Sequence, residues 1–248
     1  MLRRTWNVVW FAIRTAYEDA FVLSGMGLLW FLMAVGLPMG VYLLTVELLP
    51  PVVSMVLTAL SFVLAPPATA AVFHVAWYLA RERRIEFAYF WQGFREYLGS
   101  SWKVSGVMLV VLALLLADAY FFLQAQRSFF AILGFLMLWL LLFWLTIQVY
   151  LYPLLIALEE KRVGLMFRNA AQLVLAFPLF SFLTLLVALL STALSVVLIV
   201  LLPTIWMPFV ALLFSRAFVS SWDEAVRIQQ RHQATESPAD EQADEPDD

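Results

Sequence analysis

Apolar residues in this chain run in long blocks separated by short polar gaps, after an amphipathic beginning. The blocks are Val22 to Val46, Val52 to Ala80, Val104 to Leu123, Phe129 to Leu158, and Leu173 to Phe218. An α-helix needs about 20 apolar residues to cross a hydrocarbon core roughly 30 Å thick, so each of the first four predicts one crossing. The last block holds 46 residues, which as helix is roughly 69 Å and predicts two crossings joined by a tight turn. Pro203 and Pro208 favour a turn near Leu202 to Thr204, because proline is tolerated in the first turn of a helix. Ser191 to Ser195 is the alternative. The expected crossings are therefore 22–46, 52–80, 104–123, 129–158, 173–201 and 204–219.

Before them, Leu2, Trp6, Val9, Trp10, Ile13, Tyr17 and Phe21 recur at helical spacing, with Arg3, Asn7, Arg14 and Glu18 on the other side. That pattern over 1–21 predicts an interfacial amphipathic helix. No small-residue cleavage site of a signal peptide follows it. The longest gap, 81–103, interleaves Phe90, Trp91, Phe94 and Trp102 with Arg81, Arg83, Arg84, Arg95 and Lys103. An aromatic, basic helix of this kind is either a membrane-surface anchor or a docking face for a partner, with Phe90, Trp91, Phe94 and Arg95 as that face.

Composition agrees with the blocks. Of 248 residues, 64% are hydrophobic and 13% charged, against about 45–50% and about 25% in soluble domains. Unbroken runs argue for helices over a membrane barrel, so the fold class is all-α, a polytopic bundle of six crossings. Cysteine is absent, which removes disulfides and thiolate chemistry.

Charge then sets the orientation. Fourteen of fifteen Lys and Arg residues fall before the first crossing, in the second and fourth gaps, or from the last turn of the sixth onward, where Arg216, Arg227 and Arg231 stand; Arg127 is the exception. The positive-inside rule makes those regions cytoplasmic, and with six crossings both termini lie there, in a bacterial inner membrane. Seven of eighteen acids stand between Glu236 and Asp248. Having little apolar surface to bury, residues 221–248 read as a disordered acidic tail.

Inside the crossings few residues carry chemistry. Asp118 is the one formal charge well inside a run, and is read either as a functional carboxyl facing a cavity or as a structural one. His74 lies toward the cytoplasmic side, about 12 Å below Asp118 if Arg81 and Lys103 share a level. Thr69, Thr146, Gln148, Ser181 and Thr184 are placed to bond helix to helix. Pro66 and Pro67 should push Ala65 out of the helical region and break the second crossing, forming a binding site or a close-packing kink. Pro38, Pro153 and Pro178 interrupt three more crossings. Phosphate loops, HExxH and metal-spaced His clusters are missing from the sequence, so no enzyme, cofactor, metal or nucleic-acid function is expected.

The chain resembles the YesL family of bacterial integral membrane proteins. The matching pieces are Leu29-Trp30, Pro66-Pro67-Ala68-Thr69-Ala70-Ala71-Val72-Phe73, Phe90-Trp91, Phe94-Arg95 and Ser101-Trp102-Lys103. Further on come Gln148-Val149-Tyr150-Leu151-Tyr152-Pro153 and Phe167-Arg168-Asn169-Ala170, with Pro178 and Phe180. Members often carry asparagine near the position of Gly27. The resemblance implies an accessory role with carbohydrate ABC transporter subunits and no catalytic residue. A self-sufficient transporter with a polar path near Pro66, Pro67, Thr69 and Asp118 is the alternative.

Overall fold

A computed structural model describes residues 2–81, 85–124, 128–198 and 201–241, with helices and no strand among them. Arg83, Arg84, Arg127 and the acidic segment from 242 lie outside the described residues. Six stretches are long and apolar enough to cross a membrane: Ala20–Thr45, Pro51–Ala80, Leu98–Gln124, Ile132–Ala157, Pro178–Val197 and Pro203–Ile228. The chain is an all-α, multi-pass membrane bundle.

Helix α1 (Leu2–Glu18) precedes the first crossing, which is α2 (Ala20–Phe31) and α3 (Leu37–Thr45) joined by a wider π turn at Leu32–Gly36. Pro38 stands in the first turn of α3, and its missing N–H and bulky ring account for the distortion just before it. The stripe Trp6, Trp10, Ile13, Tyr17 and Phe21 is exposed, while Thr5, Val8, Ala12 and Thr15 are buried. The apolar face is thus free for lipid and a small-residue face docks α1 on the bundle. Arg4 fastens it, donating from Nε to Ser220 Oγ at 2.7 Å and lying over the rings of Phe177 and Phe180.

The second crossing is α4 (Pro51–Ser61), a 3₁₀ turn at Phe62–Leu64, and α5 (Ala65–Ala80). Ala65 does not leave the helical region as expected: its φ and ψ are −64° and −48°. The distortion falls one turn earlier, because the rings of Pro66 and Pro67 press on the carbonyls four residues back, those of Phe62 and Val63. The tightened turn gives the Phe62 carbonyl a bond from the Ala65 N–H. The Val63 carbonyl, which would otherwise accept the N–H that Pro67 lacks, accepts Trp102 Nε1 at 3.0 Å. At the other end of α5, Arg216 Nη1 donates to the Ala80 carbonyl at 2.7 Å, satisfying an orphan acceptor of the helix terminus.

Helix α6 (Ala88–Glu96) and α7 (Leu98–Gln124) are separated only at Tyr97. Within the segment 81–103, α6 packs against the bundle. Gly93 packs on His74, where a Cβ would come within 2.7 Å of the His74 Cβ, so α6 runs back beside α5. Trp102 consequently reaches Val63, and Lys103 and Arg81 do not share a level. Tyr97, just ahead of α7, lies against His74 with ring centroids 5.6 Å apart, and Asp118 stands twenty-one residues further along the chain. Asp118 and His74 are therefore about 30 Å apart along the bundle, not about 12 Å.

Helix α8 (Ser128–Ala157) keeps Pro153 inside it. Helix α9 (Val163–Ala176) ends at Phe177, with φ −131° and ψ 57°, and α10 (Pro178–Val197) begins at Pro178. Pro178 thus opens the fifth crossing rather than interrupting it, and Leu173 belongs to the preceding helix. The chain turns from Leu198, whose φ and ψ are −96° and 61°. It is helical again in a π turn at Leu202–Trp206, leading into α11 (Met207–Glu241). The turn begins between the two expected places, and Pro203 stands in the first turn of the helix that follows it. Helix α11 also continues where a disordered tail from 221 is expected: Trp222 packs on Phe218 at 5.7 Å and Ala225 packs against the core.

Burial is concentrated in residues 66–80 of α5, 146–155 of α8 and 207–221 of α11. At the centre Tyr150 OH meets Ser181 Oγ at 2.7 Å and Ser221 Oγ at 3.4 Å, tying α8 to α10 and α11. Thr146 and Thr184 instead bond carbonyls of their own helices, Leu142 and Phe180. Tyr150→Phe removes the shared hydroxyl and is expected to cost about 1 kcal/mol, measured as a lowered melting temperature in detergent.

Candidate functional site

The kink at Pro66 and the close approach of α7 to α8 leave a cavity of about 230 Å³ between α5, α7 and α8. Thr69 from α5, Ser105 from α7, and Gln148 and Tyr152 from α8 supply its polar lining; Pro66, Met108, Leu109 and Leu112 supply the apolar part. Leu109 is 64% exposed, so the cavity opens sideways at the lipid-facing surface. Its lining residues carry no formal charge.

Hydrogen bonding decides what this lining offers. The Thr69 hydroxyl accepts from Trp30 Nε1 at 3.0 Å and donates to the Ala65 carbonyl at 2.9 Å, and its remaining lone pair faces the Tyr152 hydroxyl. Ser105 Oγ and Tyr152 OH are 2.7 Å apart. With Thr69 and Ser105 both as partners of Tyr152, the three hydroxyls form one chain along the cavity wall. Phe73 stacks on the Tyr152 ring at 4.9 Å and fixes it. Gln148 Nε2 is buried with no hydrogen-bond partner among the described residues. An unsatisfied buried amide costs about 1–3 kcal/mol, so this cavity is energetically incomplete and suits a neutral group that accepts hydrogen bonds.

Of the expected site residues, Pro66, Thr69 and Gln148 come together here. Pro67 is buried beside them in α5 and does not line the cavity. Asp118 is exposed on α7, away from the site. His74 is 3% exposed, held between the rings of Tyr78 and Tyr97 at 5.0 and 5.6 Å, with neither ring nitrogen partnered among the described residues. The proposed docking face of α6 is divided: Phe90 is wholly buried and Phe94 packs on the core, while Trp91 and Arg95 are exposed. Phe90 and Phe94 hold α6 on the bundle and are withdrawn from that face. Lys161 reaches Glu96 at 3.3 Å and lies over Tyr97 at 4.2 Å, a second fastening of α6. Burial and the neighbouring Glu96 carboxylate hold the Tyr97 phenol well above its ordinary range.

Ser105 and Tyr152 are missed by sequence reasoning. A signal was available for the second: Tyr152 follows Gln148 by four residues, which places both on one helix face. Among the described residues no group of three or more acidic or histidine side chains is arranged to hold a metal ion. Compared with protein-family models, curated proteins and solved structures, the chain matches none.

Proposed function

We propose that this membrane protein is a non-enzymatic accessory subunit of a solute-transport system, and that the cavity between α5, α7 and α8 receives a side chain from a membrane helix of the transporter. The unpartnered Gln148 amide carries the reading. Polar side chains bond helix to helix in membranes, and a lateral opening admits a helix from the lipid side. Size points the same way. Small-molecule pockets run to about 300–1,000 Å³, and about 230 Å³ is short of that. The resemblance to YesL proteins directs the proposal to carbohydrate ABC transporters of the bacterial inner membrane, with cytoplasmic termini.

A self-sufficient path through Pro66, Pro67, Thr69 and Asp118 is less favoured, because Asp118 stands on an exposed face remote from the cavity. Affinity purification in mild detergent separates the two. The native chain is expected to bring down permease subunits, and Gln148→Leu to lose them while melting no lower than the native chain, since it removes an unsatisfied amide. Recovery of no permease at any expression level, or solute flux through the purified chain alone in vesicles, overturns the accessory role.

A further inference from the structure

A second cavity, of about 350 Å³, lies where α1 meets α11. Its lining holds three guanidinium groups, Arg4, Arg216 and Arg227, and two carboxylates, Asp223 and Glu224. Two of the arginines are fixed in place. Arg4 is held by Ser220, Phe177 and Phe180, and Arg216 by the Ala80 carbonyl and the Phe11 ring at 4.2 Å. Arg4 Nη2 is nonetheless buried without a hydrogen-bond partner among the described residues. Burial pushes the Arg4 guanidinium below its ordinary pKa, while Glu224, Tyr150 and Asp223 pull it back. It stays charged at any physiological pH, so its free donor calls for an anion.

Both charge signs in one cavity narrow the ligand class. A simple anion would meet the two carboxylates, and a simple cation the three guanidiniums. A group carrying a phosphate and an amine a few bonds apart satisfies both. The surroundings narrow it further: α1, which lines the cavity with Arg4, Asn7 and Val8, exposes Trp6, Trp10 and Tyr17 elsewhere on its surface, and such aromatics sit at headgroup level in membranes. We propose that the α1–α11 cavity binds the headgroup of an aminophospholipid, its phosphate on Arg4 and Arg227 and its ammonium on Asp223 and Glu224.

The test uses the full-length protein in a non-ionic detergent, titrated by calorimetry with dihexanoyl phosphatidylethanolamine, dihexanoyl phosphatidylglycerol and free phosphoethanolamine. Saturable binding of the phosphatidylethanolamine is expected, tighter than that of the other two. Charge-assisted hydrogen bonds contribute about 1.5–3 kcal/mol, so Arg4→Gln with Arg227→Gln should weaken it by at least about tenfold. Asp223→Asn with Glu224→Gln should weaken phosphatidylethanolamine and strengthen phosphatidylglycerol, and this pair leaves the Arg4 packing intact if the arginine variant fails to fold. Equal affinity for the two lipids, no saturable binding, or insensitivity to the acidic pair overturns the proposal. Phosphoethanolamine binding as tightly as the lipid overturns the lipid assignment and points to a soluble phosphate ester.

Discussion

Gly27→Ala should lower the melting temperature by roughly 10 °C and leave little monodisperse protein. A Cβ at this position would collide with the Thr204 carbonyl oxygen and stand 2.6 Å from its carbon and 3.2 Å from Pro208 Cγ. Two of those atoms are backbone and cannot swing aside, so α2 must move off the π turn at Leu202–Trp206. Overpacking usually costs 1–3 kcal/mol, and a backbone collision belongs at about the upper limit or beyond. The damage would spread to the lateral cavity, because the same crossing packs Trp30 at a tilt against Trp206, ring centroids 5.6 Å apart, and aims Trp30 Nε1 at Thr69. Gly40→Ala is the control: nothing lies within 4 Å of a Cβ there, so its melting temperature should not fall. Equal melting of the two variants would show that α2 does not meet the turn at Leu202–Trp206 at backbone contact.

The six crossings were legible because each is a run that only a membrane can solvate, although individual limits moved by as many as nine residues, as at the end of the sixth. What the sequence concealed depends on neighbours. Residues 81–103 read as a membrane-surface anchor or a docking face; that α6 runs beside α5 is decided by Gly93 against His74, and no local pattern encodes that pairing. Prolines were legible as disturbances, but not their location, since a proline distorts the turn before itself. Thus Ala65 stays helical while Phe62–Leu64 tightens. Half of the polar lining was readable, because Thr69 and Gln148 stand out against apolar filler. Ser105 and Tyr152 did not, as serine and tyrosine are ordinary residues of membrane helices and interfaces. Asp118 drew attention through the cost of a buried charge, yet the side of α7 it occupies is exposed. The side a residue faces is set by packing, which a uniformly apolar helix does not record.

Trp102→Phe should destabilise the protein by about 2 kcal/mol, through a carbonyl rather than a ring. The ring is replaced by one of similar character, but the Nε1–H that reaches the Val63 carbonyl at 3.0 Å is lost. Val63 is 50% exposed on a membrane-facing stretch, where water is not at hand to replace the donor. The cause of that need is Pro67, whose missing N–H would be the carbonyl's partner in an unbroken helix. Pro67→Ala restores an N–H there, so Trp102→Phe should cost clearly less when made on top of Pro67→Ala than in the native chain. A double-mutant cycle read by thermal melting in detergent measures the difference. An equal cost in both backgrounds would mean that the indole acts by its packing alone. A coupling of about 1 kcal/mol or more would mean that the two prolines of α5 and the first turns of α7 form one device, in which the tryptophan completes the hydrogen bonding that the kink leaves open.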